Sequence, residues 1–316
     1  MPDDDDRQTR APSEVARRYC LRTYGPSHVI EISADEFHAI KQAMNNLFIL
    51  LDTEEKFGMI IYNFLEYERE LLSLALEDMA LRGAEWSKMR GALALVNRRL
   101  ANVLTVARLY LDHIKHDVAA MYGGTGEQLT RITRATNTQY DSRLGYRVME
   151  ALRNVLQHRS FPIKIMNWCK DREERADECF LRHRVTAHLR LTDLERNEKF
   201  KKSVLEELRR RREDQIDVGP LLREYIEGLS LVHMDVRLAS DEDMQQWLSV
   251  VMKPAARYAE VSGRDPDTIV AYALDDEQFA LDEVPIVRDG IDELRQWRDR
   301  LLPTRISKSF VSDGPE

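Results

Sequence analysis

Residues 89–121, MRGALALVNRRLANVLTVARLYLDHIKHDVAAM, decide the fold. Within them Met89, Leu93, Val96, Leu100, Val103, Ala107, Leu111, Ile114, Val118 and Met121 recur at steps of three and four. An α-helix turns once every 3.6 residues, so these steps put all of them on one side. The resulting apolar seam runs for more than about eight turns. A helix with such a seam is held by packing against other helices rather than by propensity alone. Gly123-Gly124 ends it.

Upstream, Ile32-Ser33-Ala34-Asp35-Glu36-Phe37 contains a capping box, Ser33 with Glu36, and a hydrophobic staple, Ile32 with Phe37. It predicts a helix to about Leu51. Asp52-Thr53-Glu54-Glu55 then reads as the start of a second helix, running to about Leu81 through Phe57, Ile60, Ile61, Phe64, Leu71 and Leu72. Downstream, Thr125 and Gln128 make another capping box. The helix they start is predicted to run to about Ser160, where Pro162 stops it. Four consecutive long helices with short links predict an up-and-down bundle over residues 31–165. Residues 1–30, polar and aperiodic, read as a flexible tail.

Beyond 165 the pattern changes to a smaller α+β region, residues 166–316. Phe161–Asn167 and Val185–Leu191 are β-tolerant and flank a charged connection. Helices are predicted at 197–213, 219–239 and 241–262, the last kinked at Pro254. Thr268–Leu274 and Phe279–Ile286 read as a hairpin around Asp275-Asp276-Glu277, and a helix over 288–302 follows. The fold class is therefore mainly α, a four-helix bundle followed by short hairpins and further helices. With 13 Gly and 10 Pro in 316 residues, turn formers are too few for a sandwich or barrel.

No apolar run approaches the roughly 20 residues that span a bilayer, and Asp3-Asp4-Asp5-Asp6 is unlike a signal peptide. Three cysteines, none in a C-x-x-C, read as reduced thiols. A cytoplasmic protein without a membrane partner is expected. The net charge of −8 argues against a general polyanion binder. Its distribution, however, is uneven. Residues 128–164 hold seven basic residues against Asp141 and Glu150, a net of +5, whereas residues 241–316 net −8. The basic segment is a candidate polyanion contact, the alternative being a solvated arginine-rich helix face. Arg209-Arg210-Arg211-Arg212, flanked by Glu206, Glu207, Glu213 and Asp214, reads instead as a solvated helix.

Within the basic segment lie Tyr140-Asp141-Ser142-Arg143, Tyr146-Arg147 and Glu150-Ala151-Leu152-Arg153-Asn154-Val155-Leu156-Gln157-His158-Arg159. Here the sequence resembles the HEPN superfamily of helical domains. Its hallmark is Arg, four to six residues, then His, often with a polar residue directly after the Arg. Arg-to-His spacings of that kind occur four times, at Arg22/His28, Arg108/His113, Arg153/His158 and Arg182/His188. Only the third has Asn after the Arg and closes the last bundle helix. The resemblance covers residues 31–165. It implies a metal-independent endoribonuclease of a toxin, defence or stress system, needing no cofactor and working as a homodimer. RNA is then the substrate, and an antitoxin or regulatory protein a partner. Arg153, Asn154 and His158 are the implied catalytic residues.

The residue types suit that chemistry. His can exchange a proton near neutral pH. Arg is permanently charged, and its fork matches phosphate oxygens. Asn154 and His158, four apart, share a helix face, whereas Arg153 and His158 lie roughly 140° apart. A bent arginine, a distorted helix end or a second protomer would bring them to one phosphate. The competing assignment pairs Arg153 with Glu150 and lets His158 cap the helix. Arg147 and Arg159 are candidate RNA contacts. In Asp112-His113-Ile114-Lys115-His116-Asp117, Asp112 or His113 is a candidate to face the motif across the bundle in a supporting role, the alternative being polar decoration beside the core seam. Metal binding by this stretch is disfavoured, since the chain contains no Glu-x-x-His. The alternative function is a helical interaction or RNA-binding module that keeps the bundle without cutting.

Overall fold

The seam of residues 89–121 lies in a single helix in the computed structural model of the protein. It describes residues 18–24, 28–81, 86–158, 161–175, 178–198, 200–264, 266–301, 305–308 and 311–313. The elements begin with β1 (Arg18–Arg22), β2 (Ile30–Glu31), α1 (Ala34–Ala80), α2 (Trp86–Tyr122), α3 (Glu127–Ser142) and α4 (Leu144–His158). They continue with β3 (Ile165–Arg175), β4 (Glu178–Arg190), α5 (Leu191–Glu195), α6 (Lys202–Arg209), β5 (Gln215–Asp217) and α7 (Val218–Ser262). Then come β6 (Thr268–Leu274), β7 (Ala280–Val287), α8 (Arg288–Arg300), β8 (Arg305–Lys308) and β9 (Val311–Asp313). The described chain is mainly helical, with small antiparallel sheets.

Two of the predicted helix boundaries are absent. The helices expected to meet at Leu51/Asp52 are one helix, α1, and those expected to meet near residue 240 are α7, which also continues through Pro254. Asp52-Thr53-Glu54-Glu55 has cap chemistry, but its side chains find tertiary partners instead. Asp52 pairs with Lys56, Thr53 Oγ1 donates to Asp117 over 3.3 Å, and Glu54 is buried in an ion cluster. With those groups occupied, nothing there stops the backbone. At the true start of α1, the Glu36 N–H donates to Ser33 Oγ over 3.0 Å, the expected cap. The Thr125–Gln128 box does not form, because α3 begins with Gly126 as its N-cap and has no side-chain cap bond.

The predicted fourth helix is two. Arg143 takes an extended conformation (φ −119°, ψ 119°), and α3 ends there. At the start of α4, a Cβ on Gly145 would lie 2.3 Å from the Leu221 carbonyl oxygen of α7, so only glycine lets these helices approach. The Gly145 N–H donates to Glu224 Oε2 over 2.7 Å.

The chain divides into two compact units, residues 1–51 with 241–296, and residues 52–240 with 297–316. This differs from a consecutive cut near 165. In the first unit, β2-β1-β6-β7 form an antiparallel sheet, with Cys20 opposite Tyr272. Residues 18–22, expected in a flexible tail, are therefore a strand. Five residues are too few for a periodic signal, but Cys20 and Leu21 are buried against the apolar run of β6. Residues 1–17 lie outside the described part.

In the second unit β3-β4-β5 form the other main sheet. The predicted strands around residues 165 and 188 extend into one long hairpin. Its charged residues pair across the ladder, Asp171 opposite Arg182 and Lys170 opposite His183. His183 Nδ1 and Asp78 Oδ2, 2.8 Å apart, anchor it to α1. The helical core of this unit unites residues 52–80 of α1, α2, α3, α4 and residues 218–240 of α7. Phe57, Tyr110, Tyr146 and Tyr225 are buried in it, with Leu100, Leu104 and Ile114 of the seam. Each such side chain contributes about 1.5–3 kcal/mol by leaving water. A helix from beyond residue 165 thus completes the core around α4. Among the described residues, no helix is long and apolar enough to cross a membrane.

Candidate functional site

The α4 helix buries Val148, Met149, Leu152 and Val155, which fixes the faces on which its polar residues emerge. Its exit is held from α2. Asn97, buried in the seam, donates through Nδ2 to the Ile163 carbonyl (2.9 Å) and accepts the Ile163 N–H at Oδ1 (3.0 Å). One amide thus satisfies both backbone groups of a buried residue just past the motif. Asn97 escaped the sequence reading because a lone amide beside an apolar stripe has no periodic signature.

The structure brings Arg153 and Asn154 together. Arg153 is half-buried and Asn154 exposed, and Arg153 Nη1 lies 3.5 Å from Asn154 Oδ1. Glu150 does not pair with Arg153. Its Oε1 accepts the Tyr225 hydroxyl at 2.6 Å, and its Oε2 lies 3.6 Å from Arg108 Nη1. Among the described residues Arg153 has no carboxylate partner. The α4 helix ends at His158, whose side chain lies outside the described part, as does Arg159.

Arg147 is used differently. Its guanidinium donates to the Tyr140 and Asp141 carbonyls (2.9 and 2.5 Å) and to Glu207 (2.6 Å), with its side chain 14% exposed. It ties the last turn of α3 to α6 and is not presented to solvent. Arg131 and Arg143 are likewise matched, by Asp235 (2.9 Å) and Glu227 (3.0 Å) of α7. Three of the seven basic residues of 128–164 are therefore paired with carboxylates of other helices. The charge segregation along the sequence becomes charge matching between helices. Arg134 and Lys164 remain exposed.

Asp112 grips Arg108 through Nε (2.9 Å) and Nη2 (2.5 Å), and Arg108 in turn approaches Glu150. Asp112 therefore reaches α4 through an arginine whose Arg-to-His spacing had carried no context. His113 is half-buried and does not line the cleft there. That cleft, of about 470 Å³, lies between α2, α3 and α4. Arg108, Lys115, His116, Tyr140 and Tyr146 line it, together with the acids Asp112 and Glu150. Its charge is mixed rather than uniformly positive. Among the described residues no group of three or more His, Cys, Asp or Glu could hold a metal ion. Asp117 is occupied by Lys56 (2.9 Å) and Thr53.

A second polar cluster went unread because its members are far apart in sequence. Buried Glu54 accepts from His233 Nε2 (3.0 Å), Arg237 (2.6 and 2.8 Å) and Arg298 (3.2 Å). Tyr110 bonds the other ring nitrogen of His233 at 2.9 Å, and Phe57 stacks on that ring at 4.0 Å. Burial pushes the Glu54 carboxyl up, but hydrogen bonds from His233 and Arg237 outweigh it and hold it at about 2. Burial pushes His233 below its ordinary value, against the pull of Glu54. With Glu54 and His233 almost wholly inside, this cluster fastens helices together. No protein-family model matches the chain, and no match was found among curated proteins or solved structures.

Proposed function

We propose that the protein acts on RNA as a HEPN-like, metal-independent endoribonuclease, with Arg153, Asn154 and His158 as its working residues. One observation carries the proposal. The assignment of Arg153 to a salt bridge with Glu150 fails, because Tyr225 and Arg108 occupy that carboxylate. Arg153 is left beside exposed Asn154 near the end of α4, with its charge unmatched among the described residues. A half-buried arginine without a carboxylate is suited to an anionic ligand.

In the proposed reaction the 2′-hydroxyl of the RNA loses its proton and attacks the adjacent phosphorus. The P–O5′ bond breaks, and the leaving oxygen takes a proton. His158 supplies proton transfer, and Arg153 binds the phosphate and offsets its growing charge. Asn154 orients the phosphate or the imidazole. The angular separation of Arg153 and His158 on one helix favours a symmetric dimer that pairs two motifs. An antitoxin or regulatory partner belongs to the same reading.

The test is incubation of the purified chain with single-stranded RNA in excess EDTA. Fragments ending in 2′,3′-cyclic phosphate are expected, and sedimentation at micromolar concentration is expected to give a dimer. Fragments with 3′-hydroxyl ends would overturn the mechanism. RNA bound in a salt-dependent way but never cut would favour the binding-module alternative.

A further inference from the structure

The cleft between α2, α3 and α4 holds an unsatisfied group that nothing in the reaction above uses. Tyr146 is 1% exposed and forms the inner wall, edge-on to Tyr225 at 4.8 Å. Its hydroxyl is buried and has no hydrogen-bond partner among the described residues. Burying such a group unpaired is unfavourable, so an external partner in the cleft would relieve it. Tyr140 supplies an aromatic side wall, its hydroxyl held by Lys201 Nζ at 2.5 Å. Lys115 and His116 stand exposed at the rim, with no partner among the described residues. Asn137 is shared with a second shallow groove along α3, which also carries Arg134 and the hydroxyl residues Thr130 and Thr133.

We infer that this cleft is a base-binding subsite for one nucleotide of single-stranded RNA, adjoining the Arg153–Asn154 motif. The inference rests on the RNA reading above and specifies how the substrate is held. A planar base finds an aromatic wall in Tyr140 and polar edges in the Tyr146 hydroxyl and the Asn137 amide. Its phosphates find Lys115 and His116 at the rim. Stacking plus cationic contacts is the usual way proteins hold single strands. The position is also right. Glu150 lines the cleft, and Asn154 is four residues further on the same face of α4, about 6 Å along the axis. That is comparable to one nucleotide of extended chain, so a base in the cleft sets the neighbouring phosphate beside the motif.

The probe is a fluorescein-labelled decamer of 2′-O-methyl adenylate, which lacks the nucleophilic hydroxyl and cannot be cut. Its binding to the full chain is followed by anisotropy. Tyr146→Phe removes no protein hydrogen bond and deletes an unpaired buried hydroxyl, so its melting temperature should equal or exceed wild type while binding weakens about five- to tenfold. Exposed Asn137→Ala is a second, independent probe and should also weaken binding. Lys115→Ala with His116→Ala should flatten the salt dependence by about one phosphate contact. Wild-type affinity in both Tyr146→Phe and Asn137→Ala would overturn the subsite while leaving RNA recognition intact. Adenosine monophosphate binding as tightly as the decamer would overturn it in favour of a free-nucleotide site. No binding of the decamer by wild type would overturn the RNA reading and the subsite together.

Discussion

Arg147 and Arg153 stand six positions apart on α4 and do opposite things. Arg147 spends its two Nη groups on two carbonyls and Glu207. Replacing it by Ala would leave those groups unpaired and cost about 2–3 kcal/mol, read as a lower urea midpoint. The salt dependence of RNA binding should not change, since Arg147 is not presented. Arg153→Ala should do the reverse, with little effect on stability and a large loss of RNA affinity and cleavage. Asn97→Ala would strand the N–H and C=O of Ile163 and cost about 3 kcal/mol in the same urea titration. The distinction between these arginines is invisible in the sequence, where both are simply basic residues on one helix. It depends on Glu207 and Glu150, and on what else claims those two carboxylates.

At the scale of elements, α4 is set by its approach to α7. Gly145→Ala would drive a methyl into the Leu221 carbonyl and force the helices apart. A loss of about 1–3 kcal/mol is expected, as for overpacking, with α4 the first helix to lose amide protection in hydrogen exchange. Full-length protection in that variant would contradict the account. Helix content was largely legible, because the seam of α2, the Ser33 cap and the hairpin of β6 and β7 are local signals. Boundaries were less so. Asp52-Thr53-Glu54-Glu55 mimics a helix start, and only the positions of Lys56, Asp117 and His233 show that its side chains face partners. The break at Arg143 was missed because no Gly or Pro stands there, and Gly145 reads as a tolerated helix glycine until Leu221 lies against it. Around α4, the adjacency of Arg153 and Asn154 and the link from Asp112 toward α4 were legible. Arg108, Tyr146 and Asn97 were not, since Arg108 acts on Glu150 of α4, Tyr146 packs on Tyr140 and Tyr225, and Asn97 bonds the chain after α4.

Across the whole molecule, acid should weaken the fold through Glu54 and His233. Glu54 takes its proton near 4.5 when unfolded but at about 2 when folded. Its contribution is complete above about pH 4.5 and is lost as the pH falls toward 2. The unfolded chain also protonates His233 near 6.5 while burial resists this in the fold, so stability starts to fall below that pH. Urea midpoints should therefore drop between pH 7 and pH 4. Glu54→Gln, which leaves buried His233 and the half-buried Arg237 and Arg298 without their carboxylate, should cost about 3–5 kcal/mol at pH 7 and flatten the profile. An unchanged midpoint in that variant would remove the cluster from the account of stability. The proposed function rests instead on Arg153, Asn154 and His158 of α4. The most direct measurement is the single-turnover cleavage rate of single-stranded RNA in EDTA, for wild type and His158→Ala, with both melting temperatures recorded. A rate loss of about 10²–10⁴-fold without a change in melting temperature is the predicted result. Equal rates in the two proteins would contradict the assignment of the motif as the catalytic site.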